Sequence, residues 1–352
     1  MKITAQEIKA AAKRMGADIV GIGSIDRWST APIQMDPKQI MPNAKSIIAL
    51  GFRVMRGSLR GVEEGTYFSN YSSMGYGGIT YLYMPMTIIN LSKMIEDEGY
   101  EAVPMGHQSD WRAITNLGYM KKEFSRPVAP GKAAPDVMVH LRLAAYLCGM
   151  GEIGYSKMLL TPEFGPRQRV GIIITDLELE PDPIMEPGTL CNRCMACVRE
   201  CPGGCIPKDR TVKDKVHDRE LEWADVDMNK CNYTFVGARI SKEGEQTDYL
   251  PGLEGYSHSS ISPFYHKPNN LYNSGQAVCG AKGCTRACMV SLEKRGVLKN
   301  KFHSPFRTEK PWSVDWNEEP FDTGYVPPYE GKDTPNKFIR TKDIAKNYKE
   351  AD

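Results

Sequence analysis

Nowhere does this chain run apolar for the roughly 18 to 20 residues that a membrane-spanning helix requires, so its hydropathy predicts no membrane span. It also lacks an excess of one charge. Its 45 basic side chains face 43 acidic ones for a formal net charge of +2, which gives no broad electrostatic case for nucleic acid or anionic lipid as the main partner. A local basic patch stays open. The opening residues Met1 to Glu7 contain neither an apolar signal core nor a twin-arginine pair, which predicts a cytoplasmic protein. Composition excludes the disordered class too: 41% of the 352 residues are hydrophobic and 25% charged, as in soluble globular proteins. That length suits two domains, or one large domain carrying an insert. Cysteine is not scarce. Ten thiols in a reducing compartment are better explained as metal ligands than as disulfides.

The first 185 residues alternate helix and strand patterns. Ile8, Ala11, Ala12 and Met15 fall on one helical face, and Asp18 to Ile25 reads as a buried strand. Ser46 to Val54 reads as a second strand, Tyr81 to Glu98 as a helix stopping at Gly99, and Glu101 to Met105 as extended chain. A further helix is expected from just after Pro135-Asp136 to about Cys148, where Cys148 is a small core residue. Val170 to Thr175 is the most apolar strand candidate. Pro181-Asp182-Pro183 and Glu186-Pro187-Gly188 then read as a linker. The expected division is therefore 1–185, an α/β (α+β) domain; 186–298, a cysteine-rich domain; and 299–352, an extended arm. Trp312, Trp316, Phe321, Tyr325 and Tyr329 argue that something buries this arm, with disorder as the alternative. Apart from two cysteine groups no internal repeat is present.

The strongest signal is Cys191-x2-Cys194-x2-Cys197-x3-Cys201-Pro202. In a bacterial-ferredoxin-like module this spacing delivers three thiolates to one 4Fe-4S cube and a fourth to its neighbour. Zinc is the competing reading, but paired C-x2-C knuckles would not explain the x3-Cys-Pro ending. A second cluster needs four more thiolates, which Cys231, Cys279, Cys284 and Cys288 supply. The ferredoxin exchange then puts Cys191, Cys194, Cys197 and Cys288 on one cluster and Cys201, Cys231, Cys279 and Cys284 on the other. Met289 stands where a proline would follow the last ligand, and the gap from Cys279 to Cys284 is longer than usual. Cys205 is the substitute ligand the sequence offers.

The residues ahead of this module occur in a recognisable order: Tyr81-Leu82-Tyr83-Met84, Gly99 to Gly106, Gly149-Met150-Gly151-Glu152, Thr161 to Arg167, Thr175-Asp176-Leu177, and then the cysteines. Together they resemble the cobalamin-dependent reductive dehalogenase and epoxyqueuosine reductase superfamily over roughly residues 75 to 290. Gly-x-Gly-Glu followed by Thr-Pro-Glu-Phe-Gly leans to the dehalogenase branch. The resemblance implies a nitroreductase-like domain holding base-off cobalamin, reduced to Co(I) by the adjacent clusters. It places Met84, Gly149, Gly151, Thr161, Phe164, Gly165 and Arg167 at the corrinoid. No Asp-x-His-x-x-Gly segment of the histidine-ligating corrinoid proteins occurs.

By the same resemblance Tyr81 is the proton donor to the substrate carbon, the alternative being an ordinary core tyrosine. A phenol of pKa about 10 needs a nearby cation or hydrogen bond for that work. His107 stands where dehalogenases often carry asparagine, and Tyr155 where they carry arginine or lysine, with Lys157 and Arg142 as stand-ins for that cation. Asp136 lies next to the general-acid position of the epoxyqueuosine branch, or caps a helix. The expected activity is reductive cleavage of a carbon–halogen or other carbon–heteroatom bond in a small molecule, with a ferredoxin or flavodoxin-type electron donor. Epoxyqueuosine reduction on tRNA and non-catalytic electron transfer or corrinoid reactivation are the competing readings.

Overall fold

A computed structural model describes residues 3–64, 70–107, 127–135, 137–201, 204–227, 231, 238–240, 246–248 and 282–308. Asp136, Cys279 and most of the expected arm lie outside the described residues. Helix α1 (Ala5–Arg14) starts at a capping box: Thr4 Oγ1 accepts from Glu7 N–H, and Glu7 Oε2 accepts from Thr4 N–H. Strands β1 (Ile19–Ser24) and β2 (Ser46–Arg53) follow. A short helix α2 (Arg60–Glu64) precedes a wide π-helix over Tyr71–Tyr83, which runs directly into α3 (Met84–Asp97). Gly99, at φ +85°, ends that helix as expected.

Strand β3 (Ala102–Met105), helix α4 (Leu141–Leu147), the short pair β4 (Glu152–Ile153) and β5 (Leu159–Leu160), and strand β6 (Gln168–Thr175) complete the first region. The main sheet has the order β1-β2-β6-β3, antiparallel throughout. Alternate residues of its central strands serve two cores. Ile48, Leu50 and Ile173 face α1 and α3 with Ile8, Ile88 and Leu91, while Ile47, Ala49, Ile172 and Ile174 face α4 with Ala144 and Ala145. Helices therefore cover both faces of the sheet, a mixed α/β arrangement.

Helix α4 is shorter than expected. His140 caps it by accepting from Leu143 N–H at 3.2 Å, and Met138 N–H is already bonded to the Gln34 carbonyl, which holds the preceding chain extended. The proline-rich stretch is also not a free linker. Asp182 N–H bonds to Ile22 O, its carboxylate accepts from Ile22 N–H and Lys9, and its carbonyl accepts from Arg27. The chain is thereby pinned along β1 before the cysteines begin. Helix α5 (Ala196–Arg199), the hairpin β7 (Thr211–Val216) and β8 (Arg219–Ala224), the small pair β9 (Ala238–Ile240) and β10 (Gln246–Asp248), and helix α6 (Lys282–Lys294) follow. Packing crosses the expected boundary. Met289 and Phe306 join the α1–α3 core, and Val216 and Leu221 join the α4 core.

A Cβ at Gly151 would stand 1.9 Å from the Leu160 carbonyl oxygen, which β4–β5 pairing holds in place. Gly151→Ala is expected to cost about 1–3 kcal/mol, read by chemical denaturation.

Candidate active site and metal centre

Glu152 is 1% exposed. Its carboxylate accepts backbone N–H groups from Gly188 at 2.6 Å, Thr189 at 3.1 Å and Leu190 at 2.8 Å, and from Cys191. One buried anion thus fixes the chain where the cysteine motif starts. Within that motif Arg193 and Met195 take left-handed φ values of 54° and 57°, a conformation costing about 1–2 kcal/mol per non-glycine residue. Of the motif's thiols Cys197 is buried, Cys191 and Cys201 half-buried and Cys194 exposed. On α6, Cys284 and Cys288 share one face a turn apart, and the helix is anchored between them by Arg286. That guanidinium, 3% exposed, forms a two-pronged ion pair with the 1% exposed carboxylate of Glu63.

These supports bring the thiols together. Cys197 and Cys288 share a hydrogen bond, and Cys194 Sγ lies 3.3 Å from Ser291 Oγ, one turn beyond Cys288. Cys191, Cys197, Cys201, Cys284 and Cys288 border one apolar cluster with Tyr155, Ile206 and Ala224. Cys205 and Cys231 share a second thiol hydrogen bond. None of the described cysteines forms a disulfide. Among the described residues no three Cys, His, Asp or Glu side chains converge as one metal ion would require. A cube needs no such convergence, since each thiolate binds a different iron, so the donor set fits iron–sulfur clusters.

Beside this centre lies a cavity of about 390 Å³ whose wall includes His107, His140, Arg142, Lys157, Gln168 and Arg169. No carboxylate lines it among the described residues. The wall is cationic, and its groups show it. Burial and then Arg169 lower the pKa of both His107 and Arg142, while burial, Arg142 and Lys157 lower that of His140. Arg142 reaches solvent yet is surrounded by protein, as a side chain on the wall of an open cavity is. Cys284 and Cys231 act on Arg142 in the opposite sense, raising its pKa. A larger open groove of about 780 Å³ lies between the start of α1 and Glu178 to Pro181, but among the described residues no thiol, histidine or tyrosine lines it.

His107, on the cavity wall, forms a triangle with Tyr76 and Tyr81, which do not line it. Tyr76 OH lies 3.1 Å from Tyr81 OH and 3.1 Å from His107 Nε2, and Tyr81 OH lies 3.5 Å from His107 Nδ1. Arg169 stacks over the Tyr76 ring at 4.4 Å and donates to Thr80 Oγ1 at 3.0 Å. Burial first, and the Tyr81 hydrogen bond second, push the Tyr76 phenol well above its ordinary pKa, so it keeps its proton.

No family model matches the chain. A tetrachloroethene reductive dehalogenase of Desulfitobacterium hafniense is 27% identical over 225 residues, covering 58% of this chain and 39% of that protein. Its counterpart in Sulfurospirillum multivorans is 25% identical over 264 residues, 64% and 45% of the two chains. An epoxyqueuosine reductase of Listeria monocytogenes is 34% identical over 68 residues, 19% and 17%. The chain is a distant homologue of the reductive dehalogenases and of the epoxyqueuosine reductases, nearer to the former. It spans about two fifths of the length of the first dehalogenase, as the 39% coverage states. A solved catabolic reductive dehalogenase in complex with 3-bromo-4-hydroxybenzoic acid overlaps loosely, with a TM-score of 0.44 and 21% identity over 65% of this chain and 29% of that one.

The residues that the dehalogenase resemblance places at a corrinoid have the following surroundings in the structure. Met84 is 1% exposed in the α1–α3 core. Gly149, at φ +76°, makes room for the Pro183 carbonyl, and Gly151 for that of Leu160. Thr161 is fully buried, bridged to Gly165 and bonded to Gln168. Phe164 is buried against Arg53, and Gly165 admits Leu292 of α6. Arg167, 1% exposed, donates to the Val54 carbonyl at 2.7 Å and to Asn300 Oδ1 at 3.0 Å. Tyr155 does not face the cavity. Its hydroxyl lies 3.0 and 2.9 Å from the Pro207 and Lys208 carbonyls, and its N–H donates to Cys191 Sγ at 3.3 Å. Lys157 and Arg142 do line the cavity, with Arg169, the last residue of the loop from Thr161 that the sequence reading offers as part of a cofactor wall. Tyr76 was missed. On an α-helix residues five apart lie about 140° apart, whereas the i→i+5 bonding of the π-helix stacks Tyr76 and Tyr81 on one side.

Glu152→Ala leaves four N–H groups without their acceptor and is expected to destabilise by about 3 kcal/mol or more, read by thermal denaturation, with lower iron content after reconstitution. His107 is expected to titrate below the ordinary histidine value of about 6.5. Arg169→Met should raise its pKa part of the way back, since burial remains, as followed by NMR of the imidazole resonances.

Proposed function

We propose that this chain is a cobalamin- and iron–sulfur-dependent reductase that cleaves a carbon–halogen or related carbon–heteroatom bond in a small anionic molecule. The observation that carries this reading is the Tyr76–Tyr81–His107 triangle, whose His107 lines a cavity walled by Arg142, Lys157 and Arg169. Cations and the Gln168 amide suit a corrinoid's phosphodiester and amide periphery, and no described carboxylate opposes it. The described volume, about 390 Å³, suits a small ring, and a whole corrinoid would extend past this wall. Reduced cobalamin, when bound, supplies the electrons that break the bond.

The chain's own residues do the rest. Residues 186–298 hold the clusters and pass electrons delivered by a ferredoxin or flavodoxin-type donor. Arg142, Lys157 and Arg169 attract an anionic substrate and stabilise the departing anion. Tyr81, 48% exposed, gives its proton to the substrate carbon, and neutral His107 returns one to it from solvent. Tyr76 keeps its own proton and orients both partners. The balance is two electrons and one proton in, with one C–H bond formed and one anion released.

After anaerobic reconstitution about eight irons and one cobalt per chain are expected. Tyr81→Phe should then lower turnover of halogenated carboxylates and phenols at least about 100-fold while cobalt reduction is unchanged. Full turnover in that variant removes Tyr81 as proton donor, and iron-free protein removes the whole reading. The match to an epoxyqueuosine reductase supports a second reading, action on tRNA through the same cations. Tight binding of an anticodon stem-loop, abolished by Arg142→Met, would favour it.

A further inference from the structure

Cys205 does not resemble a spare core cysteine. Cys148 shows what one looks like here: fully buried, its thiol 3.3 Å from the Ile47 carbonyl oxygen in apolar surroundings. Cys205 is equally buried, at 1% exposed, but its neighbours are other thiols. Its N–H donates to Cys201 Sγ at 3.4 Å, and its side chain shares a hydrogen bond with Cys231. The first contact repeats the one Tyr155 N–H makes with Cys191 Sγ at 3.3 Å. Backbone N–H groups aimed at ligand sulfurs are a normal part of an iron–sulfur site.

The backbone ties the same residues together. Cys205 O accepts from Asp227 N–H at 2.9 Å, and Asp227 O accepts from Cys231 N–H at 2.9 Å. Ile206, next in sequence, packs in the apolar cluster that Cys201 and Cys284 border. Cys201, Cys205 and Cys231 are therefore neighbours, and Cys284 borders the same apolar cluster as Cys201. We infer that Cys205, rather than Cys279, is the fourth ligand of the second cluster, beside Cys201, Cys231 and Cys284. The inference rests on the two-cluster reading and specifies which sulfurs carry it.

The test compares Cys205→Ser with Cys279→Ser, each purified and reconstituted anaerobically beside the parent chain. Readouts are the iron count and the paramagnetic resonance spectrum of the fully reduced protein, in which two adjacent reduced clusters couple magnetically. Cys205→Ser is expected to drop iron from about eight to about four per chain and to leave an uncoupled spectrum. Cys279→Ser is expected to keep both the count and the coupling. Full iron with coupling in Cys205→Ser, or its loss in Cys279→Ser, overturns the inference. If circular dichroism shows Cys205→Ser unfolded, Cys279→Ser decides: retention supports Cys205 and loss overturns it. A parent chain that reconstitutes to about four irons defeats the two-cluster reading itself, which separates that failure from a wrong choice of ligand.

Discussion

A single buried carboxylate organises the join between the α/β body and the cysteines. Glu152 stands on β4, paired with β5, and receives the N–H groups of Gly188, Thr189, Leu190 and Cys191. Four donors converging on one anion satisfy groups that a tight loop would otherwise bury unpaired. The strained turn through Arg193 and Met195 follows directly. The packing of Gly151 against Leu160 and of Gly165 against Leu292 then holds the sheet, the loop and α6 at van der Waals distance.

The same compactness sets up the chemistry. Arg142 lies on the cavity wall and also feels Cys284 and Cys231. After burial, Arg169 lowers the pKa of Arg142 and His107, and Arg142 and Lys157 lower that of His140. A wall that stores positive potential without described carboxylates favours anions entering and anions leaving. Tyr76 holds its proton under these conditions, and Tyr81 is the more exposed of the two phenols.

Much of this was legible in sequence order. The four main strands stand within a residue or two of where apolar runs placed them, because period-2 burial on two faces leaves a plain pattern. The cysteine spacing is a local code and reads without a fold. Helix α4 was overextended because the bond from Met138 N–H to Gln34 O, 104 positions back by subtraction of the residue numbers, is invisible to periodicity. The proline-rich stretch read as a linker because its anchors on Ile22, Lys9 and Arg27 lie far away in the chain.

The sequence by itself determined the strands, the capping of α1 and the thiol-rich character of the second half, all of which depend on residues close together in the chain. Only the tertiary structure decided which groups meet. It set Tyr155 against Cys191, bonded Arg167 to Val54 and Thr161 to Gln168, and brought Tyr76 and Arg169 to Tyr81 and His107. The reason is geometric. A π-helix changes which side chains share a face, and a sheet joins positions a hundred residues apart, so neither neighbourhood is written in any local spacing.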